Sequence, residues 1–184
     1  SKNMEQVLSI TSVSGREENH HKFLKEIAEK SSGTIQSDPM GNLTIFIEGY
    51  GEKKLSILFD AHMDQIGLIV TGIEENGIIR FTSVGGINPL VLPGKRVIFS
   101  QNDKNIFGII GMPPPHISGN NTKSKNYDEL FIDIGINNKK SVSEIIKIGD
   151  IAVLDYNFLE LQNNHYSGLA FDDKAGVLAL LSLL

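Results

Sequence analysis

The chain contains no cysteine, so disulfides and thiolate ligands are both excluded, and any metal it holds must be bound by His, Asp, Glu or water. Hard or borderline divalent ions suit such ligands best. No five-residue block of Lys and Arg occurs, and the formal net charge is -5, which argues against a nucleic-acid or anionic-membrane surface. No apolar run approaches the ~20 residues a membrane span needs. The opening residues Ser1 to Gln6 lack the basic-then-apolar order of a secretory signal. The expected location is therefore the cytoplasm, with neither nucleic acid nor membrane as a partner. Internal repeats and low-complexity segments are also missing. What is present is ordinary for a globular protein of one or two domains: 184 residues, 40% hydrophobic, 21% charged and 18 glycines. That length is enough to bury a core.

The hydrophobic period changes along the chain, and the changes predict a domain plan. Ser14-Gly-Arg-Glu17 has the spacing of a capping box, and Phe23, Leu24, Ile27 and Ala28 follow at helical intervals up to about Lys30. Thr34 to Ser37, Leu43 to Glu48 and Leu55 to Phe59 are short runs rich in β-branched or aromatic residues, cut by Pro39 to Asn42 and Gly49 to Lys53. The first pair predicts a hairpin. The third run is apolar nearly throughout, as expected of an interior strand covered on both faces.

From Gly67 to about Asn157 brief strands succeed one another with no long helix between them. Leu68 to Ile73, Ile78 to Val84, Arg96 to Ser100, Phe107 to Ile110, Leu130 to Ile134 and Ile151 to Leu154 are the candidates, and their spacing predicts a small β-barrel or sandwich. Ser141 to Glu144 has capping-box spacing and predicts one short helix, while the polar stretch Ser118 to Asp128 reads as an exposed loop. After Asn157 the pattern returns to strand then helix. The prediction is an α/β domain in two pieces, residues 1–66 and 158–184, interrupted by an inserted β-barrel domain over 67–157.

Two of these segments carry chemistry. The apolar run Leu55 to Phe59 stops at His62-x-Asp64, and side chains two apart in an extended segment point to one side. A neutral imidazole is a good ligand for Zn²⁺, Co²⁺ or Mn²⁺, and a carboxylate beside it can orient the ring, so Asp64 reads as a tuner of His62 and not as a ligand. Taken alone, such a triplet is more often a satisfied histidine and an exposed turn residue. The second segment, Gly168 to Gly176, places Asp172 and Asp173 before a helical pattern. One carboxylate can bridge two cations about 3.5 to 4 Å apart, and an unusual aim of that kind predicts a non-proline cis peptide between Asp172 and Asp173. Either aspartate could instead cap the helix through Val177, Leu180 and Leu181, and the roles are compatible. His20 and His21, on the first helix, have no carboxylate pattern that suggests a site; one of them is expected to face solvent. His116, after three prolines, reads as a structural or surface histidine.

Thr11 to Gly15, Asp38 to Asn42, Ala61 to Gly67, Gly111 to His116, Leu130 to Gly135 and Ala170 to Gly176 resemble, in order and over nearly the whole chain, the dinuclear metallo-aminopeptidases of the tetrahedral, self-compartmentalising type. Some members carry the name glutamyl aminopeptidase or, loosely, endoglucanase. The resemblance implies a zinc-peptidase α/β domain with an inserted β-barrel for assembly, and dimers that build into dodecamers. It implies two divalent ions (Zn, Co or Mn) per complete site, with His62 binding one, Asp172 bridging both and Asp64 acting on catalysis from behind His62. Asp173 would support them. The implied reaction is hydrolysis of the first peptide bond by a water activated between the ions while a glutamate takes its proton.

The pattern is incomplete in one respect. The family's general-base glutamate, its neighbouring ligand glutamate, a further aspartate ligand and a late histidine all follow the Asp-Asp pair, and none can be placed in this chain. The 184-residue polypeptide is therefore expected to be the amino-terminal part of such an enzyme, inactive alone and at most a weak binder of metal. Two other readings compete. A non-catalytic oligomerisation module would keep the metal residues as vestiges. A glycoside hydrolase is disfavoured, because that chemistry wants two carboxyls about 5 to 10 Å apart on opposite sides of a bond.

Overall fold

Alternate apolar residues in six short strands produce the largest ordered feature of the computed structural model, which describes residues 2–52, 55–101, 104–113 and 126–184. The chain separates into two compact units, one made of Ser1–Gln65 with Asn157–Leu184 and the other of Ile66–Tyr156.

In the second unit, β3 (Gly67–Ile73), β4 (Ile79–Val84), β5 (Arg96–Gln101), β6 (Lys104–Gly111), β7 (Phe131–Asp133) and β8 (Ile151–Leu154) close into a barrel in the order β3-β4-β7-β6-β5-β8. All pairings are antiparallel. Closure removes the exposed strand edges that invite aggregation. Leu68 and Val70, Ile79 and Phe81, Val97 and Phe99 face inward at two-residue intervals, joined by Ile110, Ile132 and Ala152. Leu92, Leu130, Val142 and Ile146 extend this core outside the strands. Fully burying side chains of this size stabilises by roughly 1.5 to 3 kcal/mol each, so the barrel carries its own core. The turn from β3 to β4 depends on Gly77, whose φ is +86° and whose missing Cβ would lie 2.1 Å from the Ile136 carbonyl oxygen. The short helix α3 (Lys139–Ile145) is capped by Asn138, whose side chain accepts from the Ser141 amide at 2.8 Å. The expected Ser141 capping box is thus displaced by three residues, because Asn138 offers its acceptor one turn earlier.

The first unit contains α1 (Lys2–Ser9), α2 (Glu18–Ala28), the hairpin β1 (Thr34–Ser37) and β2 (Leu43–Phe46), a second ribbon β9 (Leu159–Glu160) and β10 (Tyr166–Ser167), and the helix α4 (Phe171–Leu181). Val7, Leu24 and Val177 form its core, with Phe23, Leu43, Ala61, Met63, Leu178 and Leu181 packed around them. The helix α1 lacks a clear signal at sequence level and was not expected. Ser14 does not cap α2: the residue before that helix is Glu17, which makes no side-chain cap bond. Ser14 is instead engaged elsewhere, as described below.

The expected interior strand Leu55 to Phe59 is not found. The segment has no ladder partner among the described residues, and Leu55, Ile57, Leu58 and Phe59 are 60 to 86% exposed. An interior strand requires a neighbour on each side, and the hairpin β1-β2 pairs only with itself. His116 and most of the expected loop 118–128 lie outside the described residues. Among the described residues, no helix is long and apolar enough to cross a membrane.

Candidate functional site

His62, Asp64 and Asp172 come together although 110 positions separate the first from the last. All three belong to the first unit. The His62 Nδ1 lies 3.2 Å from the Asp64 backbone oxygen and 3.2 Å from Asp64 Oδ1. Two acceptors on one ring nitrogen place a proton there. The other nitrogen, Nε2, then presents its lone pair to Asp172 Oδ1 at 3.0 Å. Two electron-rich atoms facing one another at that distance need a cation between them, either a proton or a metal.

The donor set fits a divalent ion. Bonds of about 2.0 to 2.2 Å to zinc put nitrogen and oxygen roughly 3 to 3.4 Å apart when the angle at the metal is near-perpendicular to tetrahedral. With a proton as the occupant, partial desolvation works against the charged imidazole. The Asp172 hydrogen bond, the Asp64 carbonyl and the charges of both carboxylates outweigh it and raise the His62 pKa above 6.5. The pair is open to solvent, with the His62 side chain 53% and that of Asp172 95% exposed. Among the described residues, no cluster of three or more His, Asp and Glu side chains forms around a common point.

Local backbone geometry aims Asp172. Ala170 takes a left-handed conformation at φ 62°, the Asp172-Asp173 peptide is cis, as the sequence predicts, and Asp172 itself is extended at φ -89°, ψ 107°. Asp173 turns the other way. Its Oδ1 accepts from the Gly176 amide at 3.0 Å and so caps the regular part of α4. A Cβ on Gly176 would come within 2.5 to 2.7 Å of the Asp173 carboxylate, so only glycine permits this cap. The two aspartates therefore divide the tasks of facing His62 and starting the helix.

The family described as M42 glutamyl aminopeptidase matches residues 41–184. The chain belongs to this family. A glutamyl aminopeptidase of Lactococcus lactis is 27% identical over 95% of the chain and 51% of its own length. Among solved structures, an aminopeptidase of the archaeon Desulfurococcus kamchatkensis superposes with a TM-score of 0.90 at 33% identity, over 98% of this chain and 50% of that one. The TET1 peptidase of Pyrococcus horikoshii, described as able to assemble into a tetrahedron or a large octahedral shell, gives 0.83 at 34% identity over 98% and 54%. The M42 chain thus spans about half the length of the relatives it matches, with the mixed α/β fold and closed barrel they share.

Beneath His62 the M42 chain holds a polar cluster that sequence reasoning missed. Residues 12–14 run beside 63–65: Val13 and Gln65 form a parallel bridge, the Gln65 amide donates to the Ser12 carbonyl at 2.8 Å, and the Ser12 hydroxyl donates to the Met63 carbonyl at 2.7 Å. Ser14 Oγ donates to Asp64 Oδ2 at 2.5 Å, which secures the carboxylate that orients His62. His20, wholly buried, points Nδ1 at the Met63 carbonyl at 3.2 Å. Its pKa is pushed down to about 4, chiefly by burial, then by the nearby Lys174 charge, against the opposing Met63 carbonyl. Lys174, also wholly buried, donates to Gln65 Oε1 at 2.7 Å and to the Ile10 carbonyl at 2.5 Å, and burial lowers its pKa to about 8. The only sequence signal for this cluster was a lysine on the apolar side of a helix. Ser14 was hidden by its resemblance to a cap. His21, which bonds Ser37 across 3.2 Å, is the partly exposed member of the histidine pair.

Proposed function

We propose that this chain supplies part of the active site of a metal-dependent aminopeptidase, in which His62 and Asp172 hold a divalent ion and Asp172 is shared with a second. The observation that supports it best is the 3.0 Å approach of His62 Nε2 to Asp172 Oδ1 with Asp64 on the opposite ring nitrogen. Zn²⁺, Co²⁺ or Mn²⁺ bound there would polarise the first peptide carbonyl and acidify a water molecule. The residues of the chain perform the supporting work. Asp64 keeps the Nδ1 proton in place, so that Nε2 is always the ligand nitrogen; Ser14 holds Asp64; Asp173 begins α4 so that Asp172 projects towards the imidazole. Among the described residues, no glutamate joins the pair in a cluster that could supply a general base. The 184-residue polypeptide alone is therefore without peptidase activity and binds metal weakly, since two ligands replace the usual four or so.

Residues 1–66 and 158–184 would form the catalytic domain and 67–157 the inserted domain, through which copies of the whole protein assemble into dimers and dodecamers, with peptides as substrates and the cytoplasm as location. A glycoside hydrolase fits the geometry poorly. Asp64 and Asp172 point at opposite nitrogens of one imidazole ring, so the space in which a sugar would have to lie between them is occupied by His62.

The test is a Zn²⁺ titration of the chain followed by NMR of its imidazole resonances. His62 is expected to shift first and saturably. His62→Ala is expected to abolish the binding, and Asp172→Asn to weaken it at least tenfold. Zn²⁺ that leaves His62 unmoved, or binds equally to both variants, refutes the metal reading and favours a non-catalytic module. Aminoacyl anilide hydrolysis by the 184-residue chain would refute the inactivity.

A further inference from the structure

Lys174 is the charged residue whose position is hardest to explain by stability. Its side chain is wholly buried, its ammonium group donates only to neutral oxygens, Gln65 Oε1 at 2.7 Å and the Ile10 carbonyl at 2.5 Å, and no carboxylate forms an ion pair with it among the described residues. A buried ammonium without a counter-charge costs several kcal/mol, and a methionine of similar volume would fill the slot without that cost. The cost is explicable where the donors hold something in place. What they hold is specific. Lys174 is two residues beyond Asp172, and Gln65 is three beyond His62, so one hydrogen bond fastens the start of α4 to the segment that presents the imidazole. The Ile10 carbonyl, two residues before Ser12, ties in the strand-like stretch whose Ser14 holds Asp64.

We infer that Lys174 is a positioning residue: through Gln65 Oε1 and the Ile10 carbonyl it locks the two chain segments that bear His62 and Asp172 into the one register in which both can grip the same divalent ion. The inference rests on the metal reading of that pair. No contact of Lys174 with an ion is involved. Its donors act on the distance between His62 and Asp172, in the manner of the hydrogen bonds behind metal ligands whose loss typically costs 10 to 100-fold in affinity.

The experiment is the Zn²⁺ titration of the 184-residue chain, read at the His62 imidazole by NMR, for the wild type, Lys174→Met, Lys174→Arg, Gln65→Leu and Gln65→Glu. Amide spectra and helical circular dichroism of each variant report whether the first unit stays folded. Lys174→Met and Gln65→Leu are expected to weaken His62-dependent binding tenfold or more with the fold retained. Gln65→Glu keeps an acceptor for the ammonium and Lys174→Arg keeps donors, so both are expected to stay closer to the wild type than the apolar variants. Equal affinity in folded Lys174→Met and in the wild type overturns the inference while leaving the metal reading intact. Absence of His62-dependent binding in the wild type overturns the metal reading itself, and the inference with it. If Lys174→Met fails to fold, Gln65→Leu decides by the same criterion. Unfolding of the first unit in both variants also overturns the inference, because the bond would then be a general determinant of the fold.

Discussion

A buried neutral histidine makes the first unit sensitive to acid. His20 has a pKa of about 4 in the folded protein against 6.5 for an ordinary histidine, because burial and the Lys174 charge oppose a second positive charge beside them. The sign follows from proton counting. Between those two values the unfolded chain binds a proton that the folded chain refuses, so stability falls as pH drops from 6.5 towards 4 and is fully present above 6.5. Integrating from pH 7 to pH 5 gives a loss of roughly 2 kcal/mol from this residue, at about 1.4 kcal/mol for each tenfold change in proton concentration. The full gap corresponds to roughly 3 kcal/mol, a sizeable share of the 5 to 15 kcal/mol typical of a domain. Urea denaturation at pH 7 and pH 5, followed by helical circular dichroism, reports mainly on the first unit, since α1, α2 and α4 lie there and the short α3 lies in the second. Carboxylates contribute their own pH dependence, so the decisive quantity is the difference between the wild type and His20→Gln. The variant is expected to lose about 2 kcal/mol less between the two pH values. An identical loss in both proteins, or a His20 titration midpoint near 6.5 by NMR, refutes the reasoning.

Glycines with the same backbone conformation should differ in their tolerance of a side chain. Gly94 has φ +79° with nothing within 4 Å of an added Cβ, whereas that of Gly77 would meet the Ile136 carbonyl oxygen at 2.1 Å. Gly94→Ala is expected to cost about 1 kcal/mol and Gly77→Ala at least twice that in barrel stability, measured by denaturant unfolding; equal costs would show that the Ile136 contact is irrelevant. The exposed run Leu55 to Phe59 should promote self-association of the 184-residue chain. Ile57→Asp combined with Leu58→Asp is expected to raise the monomer fraction in sedimentation velocity without loss of helical signal, and unchanged association would exonerate this segment.

The barrel was legible before any coordinates. A β-strand announces itself through neighbours two positions apart, and Val97 and Phe99 or Ile79 and Phe81 satisfy that period regardless of what they pack against. All six expected strands are present, β3, β5 and β6 running one to three residues beyond the expected ends and β4 and β7 stopping one residue short of them. Helix starts were read less well. Ser14 and Ser141 each stand three residues before a glutamate, yet Ser14 spends its hydroxyl on Asp64 and Asn138 caps α3. A local motif cannot reveal that a distant partner has claimed one of its members.

The same division holds at the candidate site. Residue type and local spacing made His62, Asp64, Asp172 and Asp173 candidates, because ligand chemistry and the two-residue period of an extended segment are properties of a short stretch of chain, and the family resemblance gave them roles that spacing alone did not. Only the tertiary structure set His62 Nε2 and Asp172 Oδ1 3.0 Å apart, assigned the cap to Asp173, and put Lys174, Gln65, Ser12 and His20 beneath them. Apart from the Asp173 cap, which joins positions three apart, those relations and the Lys174 bond to the Ile10 carbonyl join positions 43 to 164 residues apart. Contacts at such separations depend on how the whole core closes, and no period in the sequence encodes them.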